Sequence, residues 1–343
     1  MPAGGFSLAK IMKHPARFPL AHLPTPLEPL DRLSAALGGP RLWIKRDDQT
    51  GLAGGGNKTR KLELLIADAL AQRADLLLTV GAVQSNHCRQ TAAAAARAGL
   101  DCVLVLRGAA PPREQWTGNL LLDDLLGARL VWAGDRNREA VMEQAAQEER
   151  AAGRRPYPIP LGGSNVVGAA AYALAFAELW GQMHERGVIF DRILFASSSG
   201  GTQAGLVAGA AACGYQGQLL AISIDQTSAD LSALVSPLAA AVCRHLEISG
   251  PPPPRLVAVD DSYLGGGYAV VGDPEREAIR LLARTEGILL DPVYTGRVMA
   301  GLLDQIRRGA IGPRETVLFW HTGGTPALFA YSQDLLGPTQ TAR

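Results

Sequence analysis

The chain has 343 residues, of which 47% are hydrophobic and 19% charged, with a formal net charge of +1. That balance supports a large buried core and argues against disorder; no basic stripe of a nucleic-acid binder is present, and no apolar run reaches the ~18 residues of a membrane span. At roughly 150 residues per domain, the length suggests two domains.

The N-terminus, Met1 to Phe18, lacks a long apolar core before any cleavage site, so no secretory signal is expected. Cys88, Cys102, Cys213 and Cys243 are widely scattered without metal-ligand spacing. They read as free thiols in a reducing compartment, which points to a cytoplasmic enzyme or binding protein with no metal.

In chain order, the first expected strand is Arg41–Lys45. The run Gly54-Gly55-Gly56-Asn57-Lys58-Thr59-Arg60-Lys61-Leu62-Glu63 follows. Its glycines allow a tight turn bare of side chains, and Leu62, Leu65, Ile66, Ala69 and Leu70 have helical spacing. Lys58 therefore stands on the first turn of a helix, where the macrodipole disfavours a cation. The same placement could lower its pKa and supply the neutral amine that a Schiff-base lysine needs. A solvated lysine at a helix start is the plainer reading of this run taken alone.

Leu76–Val80 is the next expected strand. It leads into Gly81-Ala82-Val83-Gln84-Ser85-Asn86-His87-Cys88. Polar groups at a strand-to-helix turn make a carboxylate site, with backbone N–H groups of the helix start adding to it; a helix simply capped by Ser85 or Asn86 fits as well. The Ala92–Ala96 run reads as helix interior. Strands at Cys102–Leu106 and Leu130–Trp132 flank a helix at Thr117–Leu126. The strand Ile193–Ala196 opens into Ser197-Ser198-Ser199-Gly200-Gly201-Thr202. Such a loop cradles a phosphate at a helix N-terminus. It lacks the lysine of a nucleotide P-loop and the G-x-G-x-x-G spacing of a dinucleotide site. A single phosphomonoester fits, and so does a Gly-rich structural turn.

Beyond the strand Leu219–Ile224, Pro251–Pro254 reads as a stiff extended connector before a strand at Leu256–Val259. Tyr268 follows Gly265-Gly266-Gly267, a helix is expected over Pro274–Glu286, and Asp291-Pro292-Val293-Tyr294-Thr295 comes next. Either tyrosine is a packing residue or, beside a flat cofactor, a stacking plate and proton handler. The last strand, Val317–Trp320, leads into His321-Thr322-Gly323-Gly324. Short apolar runs alternating with helical stretches predict βαβ units, with parallel sheets flanked by helices. Ligands in such folds sit at the carboxyl ends of the strands.

A lysine, a monophosphate cradle, a carboxylate loop and a stacking tyrosine together describe a pyridoxal phosphate site. The chain resembles the D-cysteine desulfhydrase and 1-aminocyclopropane-1-carboxylate deaminase family, of the tryptophan synthase β-like fold (fold type II). The resemblance runs from Leu23-Pro24-Thr25-Pro26-Leu27 to Pro326-Ala327-Leu328-Phe329-Ala330-Tyr331 and rests on Gly55–Glu63, Gln84–His87 and Gly287–Tyr294. It implies two open, twisted, mainly parallel sheets. It also implies a discontinuous large cofactor-binding domain (1–58 and 168–343) around a small α/β domain (59–167), and a homodimer acting on a small amino acid.

Residue by residue, the resemblance makes Lys58 the Schiff-base lysine. Ser85, Asn86 and His87 become the substrate-carboxylate loop, with Asn86 also near the cofactor's phenolic oxygen. The loop Ser198, Ser199, Gly200, Gly201 and Thr202 is the phosphate cradle; relatives carry Ser-Gly-Ser-Ala-Gly-Thr there, so Ser198 brings a Cβ where they have glycine. Tyr294 lies beside the pyridine ring, Tyr268 is a second active-site tyrosine, and Thr322 is the partner of the ring nitrogen. Catalytic roles are implied for Lys58, Ser85, Tyr268 and Tyr294. The cyclopropane deaminases carry Glu after the catalytic tyrosine and Leu in the His-x-Gly-Gly turn, where this chain has Thr295 and Thr322. That pair is desulfhydrase-like and makes Thr295 a substrate-binding candidate. The expected activity is α,β-elimination of D-cysteine to pyruvate, hydrogen sulfide and ammonia. The N-terminal stretch from Leu23 to Gly51 and Gly162-Gly163-Ser164-Asn165 are also similar to L-cysteate sulfo-lyases, the nearest competing activity. A catalytically silent protein that binds a phosphate-bearing ligand is the alternative outside enzymes.

Overall fold

The computed structural model describes residues 12–336; most of Met1–Phe18, read above for a signal, lies outside them. In chain order the elements are β1 (Leu27–Pro29), α1 (Asp31–Leu37), β2 (Arg41–Arg46), α2 (Asn57–Ala71), β3 (Leu76–Gly81), α3 (Asn86–Ala98), β4 (Asp101–Leu106), α4 (Gly118–Leu125), β5 (Arg129–Trp132), α5 (Arg138–Ala151) and β6 (Pro156–Pro158). The second half adds α6 (Val166–Arg186), β7 (Arg192–Ser197), α7 (Gly201–Ala212), β8 (Gln218–Ser223), α8 (Ser228–His245), β9 (Ala258–Asp260), α9 (Asp273–Glu286), α10 (Thr295–Arg307), β10 (Thr316–His321) and α11 (Ser332–Leu336).

Two sheets result, ordered β1-β2-β10-β7-β8-β9 and β5-β4-β3-β6. Every pairing is parallel except that of β1 with β2. The expected fold class, α/β with two mainly parallel sheets and helices on their faces, is therefore observed. The expected strand Leu256–Val259 is displaced: Pro254–Leu256 forms a 3-10 turn, and pairing to β8 starts only at Ala258, opposite Leu220. Two three-residue strands, β1 and β6, gave no sequence signal. Each contains proline, which lacks a ladder donor and is confined to sheet edges.

Each sheet buries both faces. On the larger one, α6, α7 and α8 pack around Phe176, Phe195 and Leu206, while Leu33, Leu282 and Leu302 of α1, α9 and α10 cover the other side. Helices α6 and α7 lie close because α7 has glycines at the crossing. A Cβ on Gly205 would stand 2.1 Å from the Ala169 carbonyl oxygen. The smaller sheet is sandwiched between Leu62, Leu65 and Leu104 on one face and Val103, Val141 and Ala146 on the other.

A buried polar knot fixes the segment that precedes Lys58. Asp47, fully buried, accepts hydrogen bonds from Arg60 Nη2 (2.9 Å), Tyr172 Oη (2.6 Å), Trp320 Nε1 (2.9 Å) and Thr25 Oγ1 (2.9 Å). Burial alone would raise the Asp47 pKa; the Arg60 charge and its hydrogen bonds outweigh that and hold it below the ordinary carboxylate value. Arg60 also donates to Glu178 Oε1 at 2.9 Å, and Lys45 Nζ lies 2.6 Å from the same oxygen. This knot ties β2, α2, α6 and β10 together directly below the glycine turn.

Candidate active site

The loops that leave the carboxyl ends of β3, β7 and β10 converge with the start of α2 on one cavity of about 350 Å³. Four separate sequence runs thus meet where parallel strands end.

The glycine turn is built for contact. Gly55 has φ 70° and Gly56 φ 126°. A Cβ on Gly55 would lie 1.9 Å from the Asp48 carbonyl oxygen. The Gly55 carbonyl accepts from Arg89 Nη2 at 2.8 Å and Gln90 Nε2 at 2.6 Å, both on α3. Lys58 follows, its Nζ lining the cavity and donating to Asn57 Oδ1 at 3.1 Å. Desolvation lowers the amine's pKa to about 8, with the Arg89 charge adding to the fall and Asp291 opposing it. The neutral amine that nucleophilic chemistry requires is thus reached at a lower pH than for an ordinary lysine.

Beyond β7, Ser198, Ser199, Gly200 and Thr202 line the cavity. Gly200 is left-handed at φ 75°, and α7 begins at Gly201 without a side-chain cap. Beyond the Gly201 N–H, which the Ser199 carbonyl and Ser164 Oγ engage, the N–H groups of this helix start are available to an anion. Thr202 Oγ1 accepts from Asn57 Nδ2 at 3.1 Å, which joins the cradle to the lysine turn. Gly201 sits behind the rim, with its N–H on Ser164 Oγ at 3.2 Å; Ser164 Oγ also bonds Ser199 Oγ at 2.8 Å. A Cβ on Gly162 would stand 2.3 Å from Ser199 Oγ, so only glycine lets that strap close on the cradle. Ser198 turns aside and donates to Asp225 Oδ2 at 2.9 Å.

Residues 19–323 match the family described as "Pyridoxal-phosphate dependent enzyme". The chain belongs to this family. Pyridoxal phosphate is therefore its cofactor. An ACC deaminase homologue of known structure is 37% identical, with a TM-score of 0.86 over 94% of this chain and 96% of that one. A fungal L-serine ammonia-lyase from Rhizomucor miehei is 17% identical, with a TM-score of 0.65 over 92% and 97% of the two chains. Escherichia coli diaminopropionate ammonia lyase is 18% identical, with a TM-score of 0.62 over 90% and 84%. These last two share the fold.

The residues of this pyridoxal-phosphate dependent enzyme fit the cofactor: a helix N-terminus without a side-chain cap for a phosphate and a desolvated amine in the same cavity, with Thr322 on its wall. The Thr322 carbonyl accepts from Asn57 N at 2.9 Å, so the β10 loop and the lysine turn are fixed to each other.

At the end of β3, Ser85, Asn86 and His87 all line the cavity. Ser85 is also the N-cap of α3, with Oγ accepting from Cys88 N at 3.1 Å. The capping and ligand readings of this loop therefore coexist in one residue. Asn86 Oδ1 accepts from Asn119 Nδ2 at 2.9 Å, and its own amide N–H groups have no hydrogen-bond partner among the described residues. His87 is neutral, because burial and the Lys58 and Lys61 charges push its pKa well down. Its Nε2 lies 2.8 Å from Thr79 Oγ1, whose proton goes to the Ile159 carbonyl; the network therefore places the ring proton on Nε2.

Tyr268 and Tyr294 line the cavity, but Thr295 does not. Thr295 is buried, receives the Asp291 N–H at 2.8 Å and donates its hydroxyl to Asp291 Oδ1 at 2.7 Å. A substrate contact expected at Thr295 is thus replaced by a contact to Asp291, because the helix start turns the side chain inward. Asp291 itself accepts from the N–H groups of Val293 (3.0 Å), Tyr294 (3.0 Å) and Thr295 (2.7 Å), fixing the turn that leads into α10. Sequence reasoning quoted Asp291 without giving it a role; an Asp just ahead of a helical run is the signal that was available. Asn119, Asp225, Arg107 and Arg138 were missed, and Ser164 was quoted within a motif without a role of its own. Asn119 and Ser164 orient residues that touch the cavity, and the other three line it.

Proposed function

We propose that the protein is a carbon–sulfur lyase that catalyses α,β-elimination of D-cysteine to pyruvate, hydrogen sulfide and ammonia. The observation that carries this reading is the Lys58 amine. It is desolvated, with its pKa lowered to about 8, in the cavity that also holds the uncapped start of α7 and the polar start of α3. When bound, pyridoxal phosphate supplies an electron sink for the pair left at Cα when its proton is removed. The chain's own residues do the rest. The start of α3, with the Asn86 amide, holds the α-carboxylate against N–H donors. Lys58 takes the Cα proton as a positioned base. The hydrogen-bonded Tyr268 and Tyr294 hydroxyls, both neutral at pH 7 because desolvation raises their pKa values, supply a proton to the departing sulfur. The released enamine hydrolyses to pyruvate and ammonium.

Thr322 supports elimination in particular. A neutral hydroxyl there draws electrons less strongly than a charged partner would, which suits a reaction whose leaving group carries the pair away. We also propose a homodimer in the cytoplasm.

The test is a product screen over D-cysteine, L-cysteine, D-serine, β-chloro-D-alanine and 1-aminocyclopropane-1-carboxylate. Pyruvate and sulfide from D-cysteine are expected. A higher kcat/KM for 2-oxobutanoate release from the cyclopropane substrate would replace this reading with a deaminase. A purified protein without a visible band removable by hydroxylamine would exclude both.

A further inference from the structure

A cation that touches neither solvent nor the cavity stands behind the start of α3. Arg89 is fully buried and is absent from the cavity wall. Its guanidinium meets no carboxylate. Nη2 donates to the Gly55 carbonyl at 2.8 Å and Nη1 to Asn119 Oδ1 at 3.2 Å, while the buried Nε has no hydrogen-bond partner among the described residues. Two acids act on this charge without pairing with it. Asp123 of α4 is fully buried with neither carboxylate oxygen hydrogen-bonded, and burial pushes its pKa well up, toward the neutral acid. Asp291 is occupied by three backbone N–H groups and the Thr295 hydroxyl. Desolvation lowers the Arg89 pKa only to about 10, so the guanidinium stays charged near neutral pH. A buried cation without a counter-ion is costly, and its presence calls for a role.

Two fixed ends set the direction of the hydrogen bonds that leave it. A guanidinium can only donate and a backbone carbonyl can only accept. Asn119 lies between Arg89 Nη1 and the Gln84 carbonyl, which is 3.0 Å from Asn119 Nδ2, so its amide has one orientation. The same Nδ2 donates to Asn86 Oδ1 at 2.9 Å. The free donor at the end of the chain is therefore Asn86 Nδ2, on a residue of the cavity wall, whereas Asn119 is fully buried behind it. Resting on the reading above that the Asn86 amide holds the α-carboxylate, we propose that Arg89 and Asn119 are positioning residues. They deliver the buried guanidinium charge to that carboxylate through two side-chain amides aligned head to tail. Each amide polarises the next and strengthens the last N–H as a donor to an anion, and the dry surroundings screen the charge little. A neutral Asp123 keeps the charge from being cancelled. The second arm of Arg89, on the Gly55 carbonyl, anchors the lysine turn to the same group.

Because Arg89 also braces that turn, the experiment cuts the relay at Asn119. Asn119→Asp is isosteric and keeps an acceptor for Arg89, but it offers Asn86 no N–H and its charge cancels the guanidinium. Asn119→Ala removes the link without adding charge. Alanine of each hand and the matching alaninamide are titrated into the holoenzyme, with affinity read from the cofactor's visible absorbance. Alanine has no leaving group at Cβ, so the measurement does not depend on elimination. Wild type should prefer the tighter-binding alanine over its amide. That preference should fall roughly tenfold or more in Asn119→Asp and by less in Asn119→Ala, with the cofactor band and melting temperature checking each fold. Where Asn119→Asp does not fold, Asn119→Ala alone decides. Equal weakening of alanine and alaninamide would assign Asn119 to support of the fold and overturn the proposal. An unchanged preference in a folded variant, or wild type that does not bind alanine or does not prefer it, would overturn it as well. So would an effect of Asn119→Asp no larger than that of Asn119→Ala, since the guanidinium charge would then not reach the carboxylate. Pyruvate release from D-cysteine is assayed separately; its absence beside a lost carboxylate preference would retire the elimination reading and support the relay.

Discussion

The hydroxyls of Tyr268 and Tyr294 lie 2.9 Å apart, with their rings crossed at 75°. One hydroxyl must donate to the other, so a proton is shared between two groups from different loops at the cavity wall. Burial and the mutual contact push the Tyr294 pKa well up, so the pair stays protonated across the working range. Tyr294→Phe keeps the ring and breaks the proton link. Cofactor absorbance should be retained while kcat falls by ~10²–10⁴, the range for a general acid–base group. Turnover equal to wild type would reduce Tyr294 to packing.

Lys58→Ala should abolish turnover and leave the cofactor held non-covalently or lost. Borohydride reduction of the wild-type holoenzyme, followed by peptide mass mapping, should find the pyridoxyl adduct on the peptide that contains Lys58 and on no other. The pH dependence has a definite sign. Desolvation lowers the pKa to about 8, so the neutral amine grows as pH rises through that value. Reconstitution of the apoenzyme with pyridoxal phosphate should therefore accelerate between pH 7 and pH 9 and level off above. A rate still climbing in proportion to hydroxide at pH 10 would show an unshifted lysine.

Gly323 and Gly56 touch across the site. Gly323 has φ 88°, and a Cβ there would stand 2.5 Å from the Gly56 Cα. Gly323→Ala combines backbone strain with a backbone clash. It should weaken pyridoxal phosphate binding by displacing either Thr322 or the turn that carries Lys58. Equilibrium dialysis of the variant would show this, and an affinity equal to wild type would mean the two loops move apart freely.

Thr295→Val removes the hydroxyl that donates to buried Asp291 Oδ1 and accepts from its N–H. A loss of about 1–3 kcal/mol in urea unfolding is expected, the usual effect of leaving buried polar groups unpaired. Thr295→Glu should be more damaging, since it sets a second carboxylate against the first. It should not create cyclopropane ring opening, because position 295 lies outside the cavity. Ring-opening activity in a folded Thr295→Glu enzyme would contradict that placement.

The sequence by itself determined the α/β class, most strands, and the position of Lys58 and the polar loops at strand ends. These follow from local rules: alternation of apolar runs, glycine where a turn must close, and hydroxyls where a helix must start. The 3-residue strands β1 and β6 escaped because their proline-containing sequences carry no strand period, and pairing to a neighbour alone makes them strands. Only the tertiary structure decided which side chains of a run face the cavity. Thr295 turns away to Asp291, while Arg107 and Arg138, from two ordinary-looking positions, turn toward it. Spacing along the chain does not encode that choice. It is set by the packing of α5 and α10 against their sheets and by the need to satisfy each buried donor and acceptor.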